Sequence, residues 1–130
     1  MNRESNGTSG LNLGAVGVGM IWGLGLMILS VLVQALVSSM APLSASTIDL
    51  LSLAYRGLGA LVGGYMAARR AASVGWLHGA AAGVALVLSI FAVMGVGVAL
   101  PTLADFLKMT GVGTVLGTLG GVVGVNAGNR

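Results

Sequence analysis

The feature that most constrains this chain is a succession of four long apolar runs, packed into 130 residues and separated only by short connections. A helix needs about 20 apolar residues to cross ~30 Å of hydrocarbon, and the runs at about 13–40, 48–68, 76–100 and 106–126 all reach that length. They are continuous, without the ~10-residue alternation that marks membrane strands. Short connections make consecutive helices antiparallel neighbours. The expected fold is an all-α integral membrane protein, an antiparallel bundle of four transmembrane helices. Composition agrees: only 7% of residues are charged, against about 25% in soluble domains. Residues 1–12 read as a polar cytoplasmic leader, 13–126 as a single transmembrane domain, and 127–130 as a cytoplasmic tail. The first apolar run is too long for a signal-peptide core. The chain has no cysteine, which removes disulfides and thiolate metal sites.

Basic residues set the orientation. Arg3, Arg69, Arg70 and Arg130 fall on one side, and Asp49, Asp105 and Lys108 on the other. Both termini are therefore expected in the cytoplasm. The two outer loops read Ser46-Thr47-Ile48-Asp49 and Thr102-Leu103-Ala104-Asp105. Each has the spacing of a capping box, in which the hydroxyl and the carboxylate satisfy free N–H groups of the first turn. That accounts for both aspartates structurally.

Small residues recur every fourth position on every helix: Ala15, Gly19 and Gly23; Gly59, Gly63 and Ala67; Gly75, Gly79 and Gly83; Gly113, Gly117 and Gly121. Lipid gives apolar side chains no reason to leave it, so membrane helices associate by close packing, which glycine permits. A tightly packed bundle is expected, and a glycine face left over would favour a homo-oligomer. Gly10, Gly14 and Ala15 also match Gly75, Gly79 and Ala80, while Asp49, Gly57 and Gly64 match Asp105, Gly113 and Gly120. Two such hairpins would be parallel repeats. A phosphate-binding loop is excluded, since no Lys-Ser or Lys-Thr follows the glycines between a strand and a helix.

Arg56 lies well inside the second run. Residues three, four and seven apart share a helix face, so Arg56 shares one with Asp49, Ser52, Gly59 and Gly63. Ser30, Gln34 and Ser38 form a matching polar line on the first helix. An arginine within a membrane is costly and marks a candidate functional site. The expected site is a polar pocket of Arg56, Gln34, Ser30, Ser52 and Asp49 near the outer leaflet. Arg56 serves there either as a structural clamp or as an anion-binding charge. His78, beside Trp76, is expected at the cytoplasmic interface; without cysteine or carboxylate neighbours it forms no metal site. Thr110, Thr114 and Thr118 make a hydroxyl stripe on the fourth helix. No nucleophile–base–acid set forms, because the histidine and the aspartates fall at opposite faces. No catalysis and no cofactor are expected.

The segment RGLGALVGGYMAARRAASVGWLHGAAAGV and the closing GGVVGVN resemble the YrzE-like family, small four-span membrane proteins of Gram-positive bacteria, over most of the chain. The resemblance implies a plasma-membrane location and no assigned activity. Genes of that family often neighbour that of the translocase accessory protein YajC, which implies an accessory role in protein translocation. Fluoride channels of similar size carry a phenylalanine-bearing polar motif in helix 3 that is missing here. Small multidrug transporters need a glutamate within helix 1, whereas Glu4 lies in the leader. The partners expected are the lipid bilayer and other membrane chains, copies of itself or subunits of a larger complex, and no nucleic acid. The first functional reading is a non-enzymatic, self-associating or accessory membrane protein. The alternative is a small anion channel or carrier with Arg56 as the binding charge.

Overall fold

A computed structural model describes residues 10–97 and 102–128. It contains four helices: α1 (Leu13–Met40), α2 (Ala45–Ala71), α3 (Gly75–Gly97) and α4 (Leu103–Gly128). Arg3, Glu4, Arg130 and the end of the expected third span lie outside the described residues. Two ends can be named by their charges. Arg69 and Arg70 close α2 at the arginine end, and Asp49, Asp105 and Lys108 lie at the aspartate end.

Helix starts follow local chemistry. Asn12 caps α1, its side-chain oxygen accepting from the Ala15 N–H at 3.1 Å. Thr102 caps α4: its hydroxyl accepts from the Asp105 N–H at 3.2 Å and donates to the Asp105 carboxylate at 2.6 Å. The other expected capping box does not form. Ser44 takes the cap position instead, accepting from the Thr47 N–H at 3.2 Å, so α2 begins three residues earlier than the apolar run. Nothing between Ala45 and Arg56 breaks a helix, and Ser44 is the first capping residue after Pro42.

The interior is inside out by the standard of a water-soluble domain. The large apolar side chains face outward, among them Leu13, Ile21, Trp22, Leu32, Leu36, Met40 and Val93, while the buried residues are mostly glycine and alanine. Leu86 and His78 are the largest fully buried side chains. α1, α3 and α4 are long and apolar enough to cross a membrane. At 27 residues α2 is long enough too, but Asp49, Arg56, Arg69 and Arg70 lower its hydropathy. α2 packs against all three other helices, whereas α1 touches only α2 and α3 among the described residues.

Backbone contact holds the helices together. A Cβ built on Gly23 would stand 2.9 Å from the Gly59 carbonyl oxygen, and one on Gly63 equally close to that of Gly19. Across the second hairpin Gly75 faces Gly121, Gly79 faces Gly117, and Gly83 faces Gly113. Within each hairpin, every step of four along one helix is matched by four back along the other, so the pairs are antiparallel. α2 and α4 run parallel, with Gly120 against Leu61 and Gly124 against Tyr65.

These contacts correct the repeat register expected from sequence. In that register Gly59 and Gly63 would match Val115 and Leu119, both exposed. At the start of α1 the same register would match the exposed Gly10 and Gly14 to the buried Gly75 and Gly79, whereas the close contacts of the first hairpin are Gly19–Gly63 and Gly23–Gly59.

Candidate functional site: a crevice at Arg56

The close pairs show where the bundle opens. The α3–α4 hairpin has three of them, the last being Gly83 with Gly113. In the α1–α2 hairpin the step of four beyond the Gly23–Gly59 pair brings Met27 and Tyr55. Two bulky side chains therefore end the run of close glycine contacts there. On α3 and α4 the Phe91 and Phe106 rings, 4.8 Å apart and edge to face, add a further tie toward the aspartate end.

Beyond Met27 and Tyr55 the first hairpin diverges. From Val31 to Met40 only Gln34 is even half-buried. The resulting crevice has a volume of about 290 Å³, room for roughly ten waters at their liquid volume. Met27, Ser30, Val31 and Gln34 of α1 face Ser52, Tyr55 and Arg56 of α2 across it, with Ile90 of α3 at one side. Toward the arginine end it gives way to buried Gly57, Gly59 and Ala60. A void of only about 30 Å³, also touched by Arg56, lies between α2, α3 and α4.

The expected polar pocket is only partly assembled. Gln34 and Ser52 do meet, at 3.4 Å, and Gln34 also donates to the Ile48 carbonyl at 3.4 Å. Ser30 spends its hydroxyl on the Leu26 carbonyl of its own helix, at 2.7 Å. Arg56 does not join this group. Its one hydrogen bond among the described residues runs to the Met109 sulfur on α4, at 3.8 Å. Asp49 is exposed and does not line the crevice. The clamp of Arg56 on Gln34 and Ser52 is therefore not what the structure contains. Gln34 and Ser52 satisfy each other, and the guanidinium is left with a weak acceptor.

The expected packing glycines Gly19, Gly23, Gly59, Gly63, Gly79, Gly83, Gly113, Gly117 and Gly121 all lie at helix–helix contacts within the chain. Gly17, Gly25 and Gly111 have no neighbour within 4 Å of a Cβ position. Met27 and Tyr55, which shape the crevice, were not anticipated. The signal was the break in the four-residue spacing, where Met27 follows Gly23 and Tyr55 precedes Gly59.

A second polar cluster lies at the arginine end. His78, expected at the cytoplasmic interface, is fully buried against the neighbouring helices near the start of α3. Its Nε2 accepts from the Asn12 backbone N–H at 2.9 Å, and its Nδ1 lies 3.1 Å from the Val74 carbonyl. With Nε2 accepting, Nδ1 carries the proton and donates, which makes the ring neutral. The imidazole thus ties the start of α1 to the turn before α3. That turn holds Ala72 and Val74 at φ 54° and 41°, a region costly for residues with a Cβ and most costly for a β-branched one. The threonine stripe turns inward on its own helix: Thr114 donates to the Thr110 carbonyl and Thr118 to that of Thr114. No cluster of three or more histidine or carboxylate residues occurs among the described residues.

A family model described as a protein of unknown function (DUF3792) matches residues 12–124. No curated protein and no solved structure matches the chain.

Proposed function

We propose, starting from a chain that belongs to the DUF3792 family, that it is a non-enzymatic component of a bacterial plasma membrane. In this reading all four helices span the bilayer, the arginine end and both termini are cytoplasmic, and the protein associates with copies of itself or serves as a subunit of a larger membrane complex. One observation carries the reading: α1 is uncovered along its aspartate-end half. There Val31, Leu32, Leu36 and Met40 are exposed on several faces, beyond what one layer of bundle contacts leaves open. Association is the ordinary way for such a helix to gain packing, which drives helix assembly in lipid. Gly17 and Gly25 add a small-residue surface on the same helix, unused within the chain. The resemblance to the YrzE-like proteins supports the location, and the translocase-associated role is its finer, gene-neighbourhood implication.

Extraction in mild detergent followed by mass analysis tests this. The expected result is a particle of two or more chains, or a co-purifying membrane subunit, that Leu36→Arg disperses. A lone monomer that remains unaccompanied contradicts it. The channel or carrier reading rests on Arg56 lining the crevice. Against it stand the close backbone contacts that pack the arginine half among the described residues.

A further inference from the structure

A second groove meets the Arg56 crevice. It lies between α1 and α3, with a volume of about 510 Å³, and shares Met27, Val31 and Ile90 with the crevice. Leu24, Ile28, Leu32 and Val93 complete its apolar walls. Its only polar residue, Ser89, donates to the Ala85 carbonyl on its own helix at 2.8 Å. The combined space is thus amphipathic. A guanidinium, an amide and the Ser52 and Tyr55 hydroxyls line the crevice, and the groove on the far side of Met27, Val31 and Ile90 is apolar.

From this arrangement we propose that the crevice is a binding site for a phosphate-headed lipid. The headgroup sits on Arg56, within reach of Ser52 and Tyr55, and an acyl chain runs along the α1–α3 groove.

Three features argue for an anion with a tail rather than for a free ion, and among the described residues no carboxylate lines the crevice to receive the cationic group of a zwitterion. Arg56 lies near the middle of α2, about 17 Å from Ala45 at 1.5 Å per residue, where an arginine within a membrane is costly to leave without a charged partner. A guanidinium in that position seeks a charged acceptor, and phosphate suits its planar fork of donors. Its existing contact, a thioether sulfur, is a weak acceptor that is readily given up. The apolar groove lies across Met27, Val31 and Ile90 from the crevice, so a tail gains contact where a small anion gains none. Access is lateral, since α1 and α3 meet only lightly and α1 and α4 not at all among the described residues. The site needs only that the chain lie in a bilayer, and it does not depend on association with another chain.

The test is thermal melting of the whole protein in a non-ionic detergent, with dioleoyl phosphatidic acid, dioleoyl phosphatidylcholine or inorganic phosphate added. Binding to the folded state raises stability by mass action. Phosphatidic acid is expected to raise the melting temperature by several degrees, phosphatidylcholine and inorganic phosphate to leave it in place. Arg56→Gln should abolish the shift, Arg56→Lys retain part of it, and Ser89→Phe, which fills the groove, weaken it at least tenfold in lipid concentration. Equal shifts with both lipids would remove the headgroup assignment. A shift with inorganic phosphate as large as with phosphatidic acid would remove the tail. If Arg56→Gln spares the lipid shift but changes the particle mass, the charge faces a partner chain and the proposal falls. Should Arg56→Gln not fold, the Ser89→Phe and phosphatidylcholine arms decide alone.

Discussion

Gly117 is the place where three helices come closest, and a leucine there should cost more than at any lipid-facing position. A Cβ on Gly117 would stand 3.2 Å from the Gly83 Cα and from the Gly79 carbonyl carbon, and nearer still to the Gly79 oxygen. Gly64 of α2 presses on the Gly117 backbone from the other side. None of these neighbours is a flexible side-chain tip, so α4 itself must move. Overpacking a tight interior costs about 1–3 kcal/mol at one contact, and here two helix interfaces are affected, so about 3 kcal/mol is expected. At roughly 3–4 °C per kcal/mol for a chain of this size, melting should fall by about 10 °C. Gly111→Leu supplies the control. It lies on the same helix, with nothing within 4 Å of its Cβ position. Leaving glycine there recovers about 0.8 kcal/mol of helix propensity, so that variant should melt at or above the wild-type temperature. The assay is a melting curve of the two variants in one detergent. If both shift in the same direction by similar amounts, the glycine contacts do not determine the packing and the reasoning fails.

Other outcomes follow from the ends of the bundle. His78→Ala removes the acceptor of the Asn12 N–H and leaves a hole where a fully buried side chain stood; large-to-small core substitutions cost about 2–5 kcal/mol, so a loss of several degrees in melting temperature is expected. Ala72→Gly relieves a left-handed residue with a Cβ, and melting should rise by the equivalent of about 1 kcal/mol. With the arginine end cytoplasmic, a cysteine at Ser44 should react with an impermeant thiol reagent on intact cells while one at Ser73 should not; reversed labelling would invert the proposed topology.

Helices were legible because their determinants are local. Apolar run length and a cap at Asn12 or Thr102 place a helix within a few residues; α2 and α4 each start three residues ahead of the apolar run, and at α2 the cap is Ser44 in place of the expected Ser46. The packing glycines were legible as a class, because spacing of four puts them on one face. Their partners were not. Which glycine meets which depends on relative rotation and translation of two helices, and a chain rich in glycine offers several registers. The expected repeat aligned loops and missed the contacts for that reason.

The site was half legible for a related cause. The facing of Gln34 and Ser52 follows from hairpin geometry alone. The direction taken by Arg56 depends on α4, two connections away in the chain, and no pattern on α2 reports it. His78 looked interfacial because it follows Trp76 at a helix entry. Its burial arises from the close approach of α1, whose cap residue supplies the N–H it accepts.

The central claim is that the bundle is sealed at the arginine end and open beside Arg56. Single cysteines at Ser52, in the crevice, and at Ala60, 3% exposed two turns deeper in the sealed half, test it with small charged thiosulfonate reagents on membranes open at both faces. Ser52→Cys should be modified, faster by an anionic than by a cationic reagent because Arg56 is close, and Ala60→Cys should stay unreacted with either. Modification of Ala60→Cys, or an unreactive Ser52→Cys, would contradict the account.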